Sequence, residues 1–204
     1  MSERGKLITL EGVDGAGKST HIPFIAQRLQ GQGRTVLVTR EPGGTPLAEK
    51  LREMVLKEPM DALAETLLMF AARADHVRQV IRPALETGTW VVCDRFSDAT
   101  AAYQGAGKGV PAELIKQLAE ATHPGLRPDR TLVFDCPYEI ASQRLRATGR
   151  TLDRFEREDR AFFERVRDAY LERGQSEPGR IRIIDSSVAL SSIQDELEKN
   201  LVFS

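Results

Sequence analysis

Residues Leu10–Thr20 read LEGVDGAGKST. Gly12, the four residues Val13, Asp14, Gly15 and Ala16, then Gly17, Lys18 and Ser19 satisfy G-x-x-x-x-G-K-[ST], the spacing of a loop that wraps phosphates. Its glycines let backbone N–H groups approach a polyphosphate closely. Lys18 is placed to meet β/γ oxygens, Ser19 to ligate Mg²⁺, and Thr20 continues into a helix whose N-terminus adds partial positive charge. Two acids sit oddly in such a loop. A carboxylate facing bound phosphates is repelled, so Asp14 must point away from them. Glu11, at the strand end, lies either near metal-bound water or in an ion pair.

Outward from this loop, apolar runs alternate with amphipathic stretches. KLITLEG, RTVLVTR, TWVVCDRF, DRTLVFDC and GRIRIIDSS read as strands. HIPFIAQRLQ carries Ile22, Ile25 and Leu29 at helical spacing, with Pro23 near enough to the start to be tolerated or to bend the helix. TPLAEKLREMVL, the long segment from Met60 to Gly88, PAELIKQLAEATH, YEIASQRLRA, REDRAFFERVRDAYLERG and SSIQDELEKNLV are the remaining predicted helices. Strands alternating with helices predict an α/β protein whose parallel sheet is covered on both faces. Ligands then gather at the carboxyl ends of the strands.

The chain has 204 residues, enough for a single domain spanning 1–204. A net charge of -1 predicts no nucleic-acid partner, and no apolar run approaches the length of a membrane span. The start of the chain enters a strand almost at once, which leaves no room for a signal peptide and predicts a cytoplasmic protein. Cys93 and Cys136 read as unpaired buried thiols, and with His21, His76 and His123 they form no zinc pattern.

Other residues collect at the strand ends. Asp94 is placed to hold Mg²⁺ or its waters, or else to form a strand-end ion pair; Arg95 beside it offers a planar fork for a phosphate. Thr100, Tyr103 and Gln104 recur at helical spacing, and Gln104 has both donor and acceptor for reading a base. TREPGGT sets Arg40 and Glu41 in a turn, with Thr45 as a helix cap. Arg73 follows Met69 by four residues and Phe70 by three, so Phe70 is either a stacking surface or core. Arg144, Arg146 and Arg150 give a local positive excess that suits a lid over phosphates, or a solvated helix face.

EGVDGAGKST, VTREPGGTPLAEKLR, CDRFSDATAAYQGAGKGV and LDRFE stand in the order found in bacterial thymidylate kinases, and the chain resembles that family over nearly its whole length. The resemblance implies a P-loop NTPase three-layer fold: a five-stranded parallel sheet, helices on both faces and a small lid at about 144–156. It implies in-line transfer of a phosphoryl group from Mg-ATP to dTMP in dTTP biosynthesis, by a cytosolic homodimer. Carried over by position, Gly12–Thr20 hold ATP; Arg95, Arg52 and Glu41 belong to the acceptor side; Phe70 and Arg73 flank the thymine. Thr100 and Gln104 lie on its polar edge, Tyr103 lies against the sugar, and Asp14 takes the 3′-hydroxyl. Many relatives have their stacking Phe where Met69 stands, and one branch has a P-loop arginine where Gly15 stands. The branch this chain is similar to supplies catalytic arginines from the lid, which points to Arg146 and Arg150 beside Lys18 and Arg95. Other nucleoside monophosphate kinases, or a P-loop switch without an acceptor, are the competing readings.

Overall fold

The computed structural model describes residues 3–203. Five strands form one sheet: β1 (Leu7–Glu11), β2 (Val36–Arg40), β3 (Trp90–Asp94), β4 (Arg130–Asp135) and β5 (Ile181–Asp185). Every pairing is parallel, and the spatial order is β2-β3-β1-β4-β5. All five residues of β1 are buried because it has a strand on each side and helices on both faces. Side chains alternate in direction along a strand, and the core divides accordingly. Ile8, Leu10, Val92 and Leu132 pack in one cluster with Ile25 and Leu29; Leu7, Val91 and Cys93 pack in another with Val77, Ile81 and Leu85. Both cysteines are free and buried.

The helices α1 (Lys18–Gly31) and α2 (Pro46–Lys57) follow the first two strands. Pro23 lies inside α1 without interrupting it, and Thr45 caps α2 by accepting from Ala48 N at 3.1 Å. The long predicted helix from Met60 to Gly88 is α3 (Ala62–His76) and α4 (Arg82–Glu86) joined by a π turn over Val77–Ile81. Pro83 has no N–H to donate into the ladder, which suits a widened turn immediately before it. After β3, α5 (Ser97–Thr100) opens directly into a π-helical segment, Ala101–Gly107, which carries Tyr103 and Gln104. The remaining helices are α6 (Ala112–Thr122), α7 (Tyr138–Ala147), α8 (Arg160–Ser176) and α9 (Leu190–Asn200). Gly107 lets α8 approach the π segment: an added Cβ would stand 2.6 Å from the Phe162 ring.

A buried charge cluster ties these parts together. Asp98, 1% exposed, accepts from Arg173 Nε and Arg180 Nη1, each at 2.7 Å. Arg180 Nη1 also donates to Thr131 Oγ1 at 2.7 Å, so α5, α8 and β4 meet at one carboxylate. Removing it leaves two guanidinium groups with only the part-exposed Glu177 as shared counter-charge. Asp98→Ala is expected to lose ~3–5 kcal/mol of stability in urea unfolding; a loss under ~1 kcal/mol would show that water replaces the carboxylate there.

Candidate active site

The sheet aims four loops at one rim. Gly12 and Gly15 adopt φ 127 and φ 81, which side chains resist. A Cβ on Gly12 would lie 2.3 Å from the Phe134 oxygen, and one on Gly15 2.4 Å from the Ala141 oxygen. The phosphate loop is therefore clamped against β4 and α7 by backbone contact alone. Lys18 Nζ donates to Gly12 O at 3.0 Å and Val13 O at 2.9 Å. Burial first, then the charge of Arg95, lowers its pKa to about 8.

This loop lines a large open cleft with Asp94, Arg144 and Arg150. Arg144 Nη2 donates to Ser186 O at 2.8 Å, so the loop after β5 closes the same cleft. Asp94 Oδ1 is buried and has no hydrogen-bond partner among the described residues. An open carboxylate oxygen sharing a cleft with Ser19 fits a hard divalent cation, which takes oxygen ligands.

A second cleft adjoins the first. Its floor is the turn after β3, where Arg95 takes φ 69, a left-handed conformation costly for a side-chain-bearing residue. Three contacts hold the turn. Arg95 N donates to Leu10 O at 2.9 Å, Glu41 N to Asp94 O at 2.9 Å, and Phe96 N to Glu11 Oε1 at 2.7 Å. Of the two roles its position at the strand end suggests, Glu11 forms no ion pair among the described residues; it holds this turn instead. It is fully buried, and Tyr170 OH donates to its second oxygen at 2.8 Å. Burial and the nearby Asp98 charge push its pKa up to about 7.

The Arg95 guanidinium is fixed by Asp14 Oδ1 at 2.6 Å and by the hydroxyls of Tyr103 and Tyr170 at 3.0 and 3.3 Å. Tyr103 OH donates to Asp14 Oδ2 at 2.8 Å. Asp14 therefore turns away from the loop amides and into the second cleft. Burial alone would raise its pKa, but Arg95 and Lys18 outweigh that and hold it below the usual carboxylate range.

Deeper in the second cleft, Arg73 Nε donates to Glu41 Oε2 at 2.6 Å, and Nη2 to Phe96 O at 3.1 Å and Thr100 Oγ1 at 3.0 Å. Its Nη1 is buried without a partner among the described residues. Burial would raise the pKa of Glu41, but Arg73 and His76 together hold it low. Gln104 joins this wall, its Nε2 donating to Glu65 Oε1 at 2.7 Å.

Two expectations need correction. Phe70 is 2% exposed, packs with Val110 and Ile115, and does not line the cleft; Met69 does. Met69 precedes Arg73 by four residues, close to a full helical turn, so those two share the cleft face. Arg146 does not line the first cleft either; it borders a smaller cavity with Tyr138 and Phe162. Residues 144 and 146 lie ~200° apart around a helix, so Arg144 shares with Arg150 the cleft lined by Gly15, Gly17 and Lys18, while Arg146 faces the cavity that Val13 and Asp14 border. The lid itself runs as irregular chain and turns from the end of α7 to the start of α8. Arg150 Nη1 pairs with Glu156 Oε2 at 2.8 Å.

Sequence reasoning passed over the loop after β5, Tyr170 and Glu65. The strand-end rule reaches Ser186, since it follows β5 as Arg95 follows β3. Phe162, Val166 and Tyr170, four apart and all buried, carry the helical core signal that the surrounding charges mask.

Arg52, Arg95 and Asp14 line both clefts and mark their junction. A parallel α/β sheet with a glycine-rich cradle, joined to a second cleft through arginines, defines a P-loop phosphotransferase. The thymidylate kinase family model matches residues 10–197. A thymidylate kinase of Bordetella pertussis is 59% identical over 201 residues, covering 98% of this chain and 96% of that protein. One from Methylobacillus flagellatus is 54% identical over 194 residues, covering 95% of each. The crystal structure of thymidylate kinase from Ehrlichia chaffeensis superposes with a TM-score of 0.79 at 32% identity, covering 98% of this chain and 99% of that one. The chain belongs to the thymidylate kinase family. No helix of the described residues is long and apolar enough to cross a membrane.

The depressed lysine gives a prediction. A triphosphate favours charged Lys18, so binding raises its pKa, and above about pH 8 binding takes up a proton. Calorimetric titration with a nucleoside triphosphate at pH ~8.5, in two buffers of different ionisation enthalpy, is expected to show fractional uptake that is lost in Lys18→Met. Equal enthalpies in both buffers would show that Lys18 is already fully charged in the empty loop.

Proposed function

We propose that the chain transfers the γ-phosphoryl group of ATP directly, in line, onto the phosphate of dTMP, giving dTDP for dTTP synthesis. The observation that carries this reading is the junction of the two clefts at Arg52 and Arg95. A donor phosphate chain on the loop and an acceptor phosphate on Arg95 would meet there.

The acceptor nucleophile needs no activation. A phosphate monoester has a second pKa near ~6 and is largely ionised at neutral pH. The barrier lies in bringing two anions together, so positioning and charge neutralisation dominate. Lys18 would leave its two loop carbonyls for phosphate oxygens, and the loop amides would hold the rest. Ser19 and Asp94 would hold Mg²⁺. When bound, the cation neutralises charge on the transferring group. Arg95, pre-set by Asp14 and two tyrosines, would receive the acceptor phosphate without rearranging. Arg150 and Arg144 would complete the charge around the donor.

Base choice follows from fixed polarity. Arg73 Nη1 is a donor without a partner, and Gln104, its amide nitrogen committed to Glu65, offers a carbonyl. Donor beside acceptor matches O4 and N3–H of thymine or uracil; cytosine presents the reverse pattern. Met69 and Leu56 would supply apolar wall, and Tyr103, which lines the same cleft, would crowd a 2′-hydroxyl. Asp14 would accept from the 3′-hydroxyl.

A homodimer belongs to the same reading, because Leu47, Met54, Leu63 and Leu67 leave an exposed apolar strip on α2 and α3. Cytoplasmic placement is supported by two unpaired thiols.

Two measurements test the proposal. ADP release with Mg-ATP and a panel of dTMP, dUMP, dCMP, UMP, AMP and GMP is expected to be strong with dTMP, weaker with dUMP and near background for the others; preference for a purine would overturn it. In steady-state kinetics, Arg150→Ala is expected to lower kcat by ~10²-fold with little change in KM. Arg146→Ala should stay within ~3-fold of the parent. A reversed ranking would return the catalytic role to Arg146.

A further inference from the structure

Glu65 touches no substrate in the reading above and enters it only as the partner of Gln104, yet it is fully buried behind the acceptor cleft. Three donors converge on it from three elements. Gln104 Nε2 reaches Oε1 at 2.7 Å from the π segment, and Lys108 Nζ reaches Oε2 at 2.8 Å from just beyond it. The Arg154 guanidinium, from the lid, also pairs with Oε2.

The first contact settles a choice that an amide otherwise leaves open. The two ends of a glutamine amide are nearly isosteric and of opposite polarity. An ionised carboxylate only accepts, so the end facing Glu65 must be the NH₂. The carbonyl is then the end left for a base. Two cations converge on Oε2 and hold this carboxylate in place.

The third contact reaches across the cleft mouth. Arg154 Nε also donates to Val55 O near the end of α2, at 3.1 Å. Its neighbour Phe155 lies under both cations: Lys108 Nζ is 4.6 Å and Arg154 4.9 Å from the ring centroid. Phe155 in turn meets the Tyr103 ring edge-on at 5.9 Å and lines the cleft. The residues that hold the lid down and the residue that orients the base reader thus share one carboxylate.

We infer that Glu65 is a positioning residue for acceptor specificity: it fixes the amide polarity of Gln104 and, through Arg154, latches the lid over the same cleft. Specificity and closure are then coupled, because loss of the carboxylate frees both. The inference rests on dTMP being the acceptor.

Glu65→Gln is the direct test, since the new amide is isosteric and permits either orientation of Gln104. Expected are a ~10-fold rise in KM for dTMP, KM for ATP within ~2-fold, and a fall of ~10-fold or more in the kcat/KM ratio of dTMP over dCMP. In a Gln104→Ala background, Glu65→Gln should add little further loss of that ratio. A purely structural role predicts a lower Tm with the ratio unchanged, and that result overturns the inference. If Glu65→Gln does not fold, Arg154→Ala carries the test, as it leaves Glu65 with two partners. Hydrogen exchange in residues 150–157 is expected to quicken in Arg154→Ala, and unchanged exchange overturns the latch. Failure of the parent enzyme to phosphorylate dTMP would instead overturn the functional reading, while the exchange comparison would still decide the latch.

Discussion

The site depends on one backbone turn held in an unfavourable shape. Arg95 sits at φ 69, and such a conformation costs on the order of 1–3 kcal/mol for a residue with a side chain. Glu11 repays part of this by receiving the next amide, and Asp14 by receiving the guanidinium. The Asp14–Arg95 contact, between charged groups, contributes ~1.5–3 kcal/mol and the Glu11 contact ~0.5–1.5 kcal/mol, enough together to offset the strain. Relaxing the turn to a right-handed shape would swing the guanidinium away from the junction of the two clefts. The fold accepts strain at this point because it places the Arg95 guanidinium where, with Arg52, it lines both clefts.

The sheet and the phosphate loop were legible in the sequence because each rests on local information. A fixed glycine spacing and alternating apolar runs need no partner from elsewhere in the chain. Five strands and the capped α2 follow from that alone. The π turns were not legible. Their cause lies partly in tertiary contact: Gly107 admits the Phe162 ring, and nothing in the local pattern of AAYQGAG announces it. Phe70 and Met69 show a finer limit. Both are apolar neighbours of Arg73 on one helix, and which one faces the cleft depends on the angle at which α3 meets the sheet. Arg144 and Arg146 repeat the point: the lid's charge and the helix to Ala147 were readable, but which face of α7 turns to the phosphate loop was not.

Glu65 and Tyr170 were invisible for a different reason. A glutamate in a helix reads by default as a solvated face, and burial of this one is specified by two cations, Lys108 and Arg154, and the Gln104 amide, none of them near it in the sequence. Tyr170 lies in the most charge-dense stretch of the chain, yet 1% of it is exposed and its hydroxyl links Glu11 to Arg95. Buried polar networks are assembled from distant residues, so no sequence window contains one whole.

The acids in LEGVDGAGKST make electrostatic sense once these distances are known. Lys18 and Arg95 share a small dry site, and each penalises the other's charge; Arg95 is among the causes that lower the Lys18 pKa. Asp14, Asp94 and Glu11 act in the opposite direction on that lysine. Without them the loop would hold a neutral amine or a displaced arginine when empty, and binding an anion would have to supply the missing order. Asp14 in particular pairs with Arg95 on the acceptor side while leaving the loop amides free on the donor side. The carboxylate therefore lowers the raw attraction of the site for anions. In exchange, both cations stay charged, aimed and separated before any phosphate arrives, which is the condition under which electrostatic preorganisation accelerates transfer.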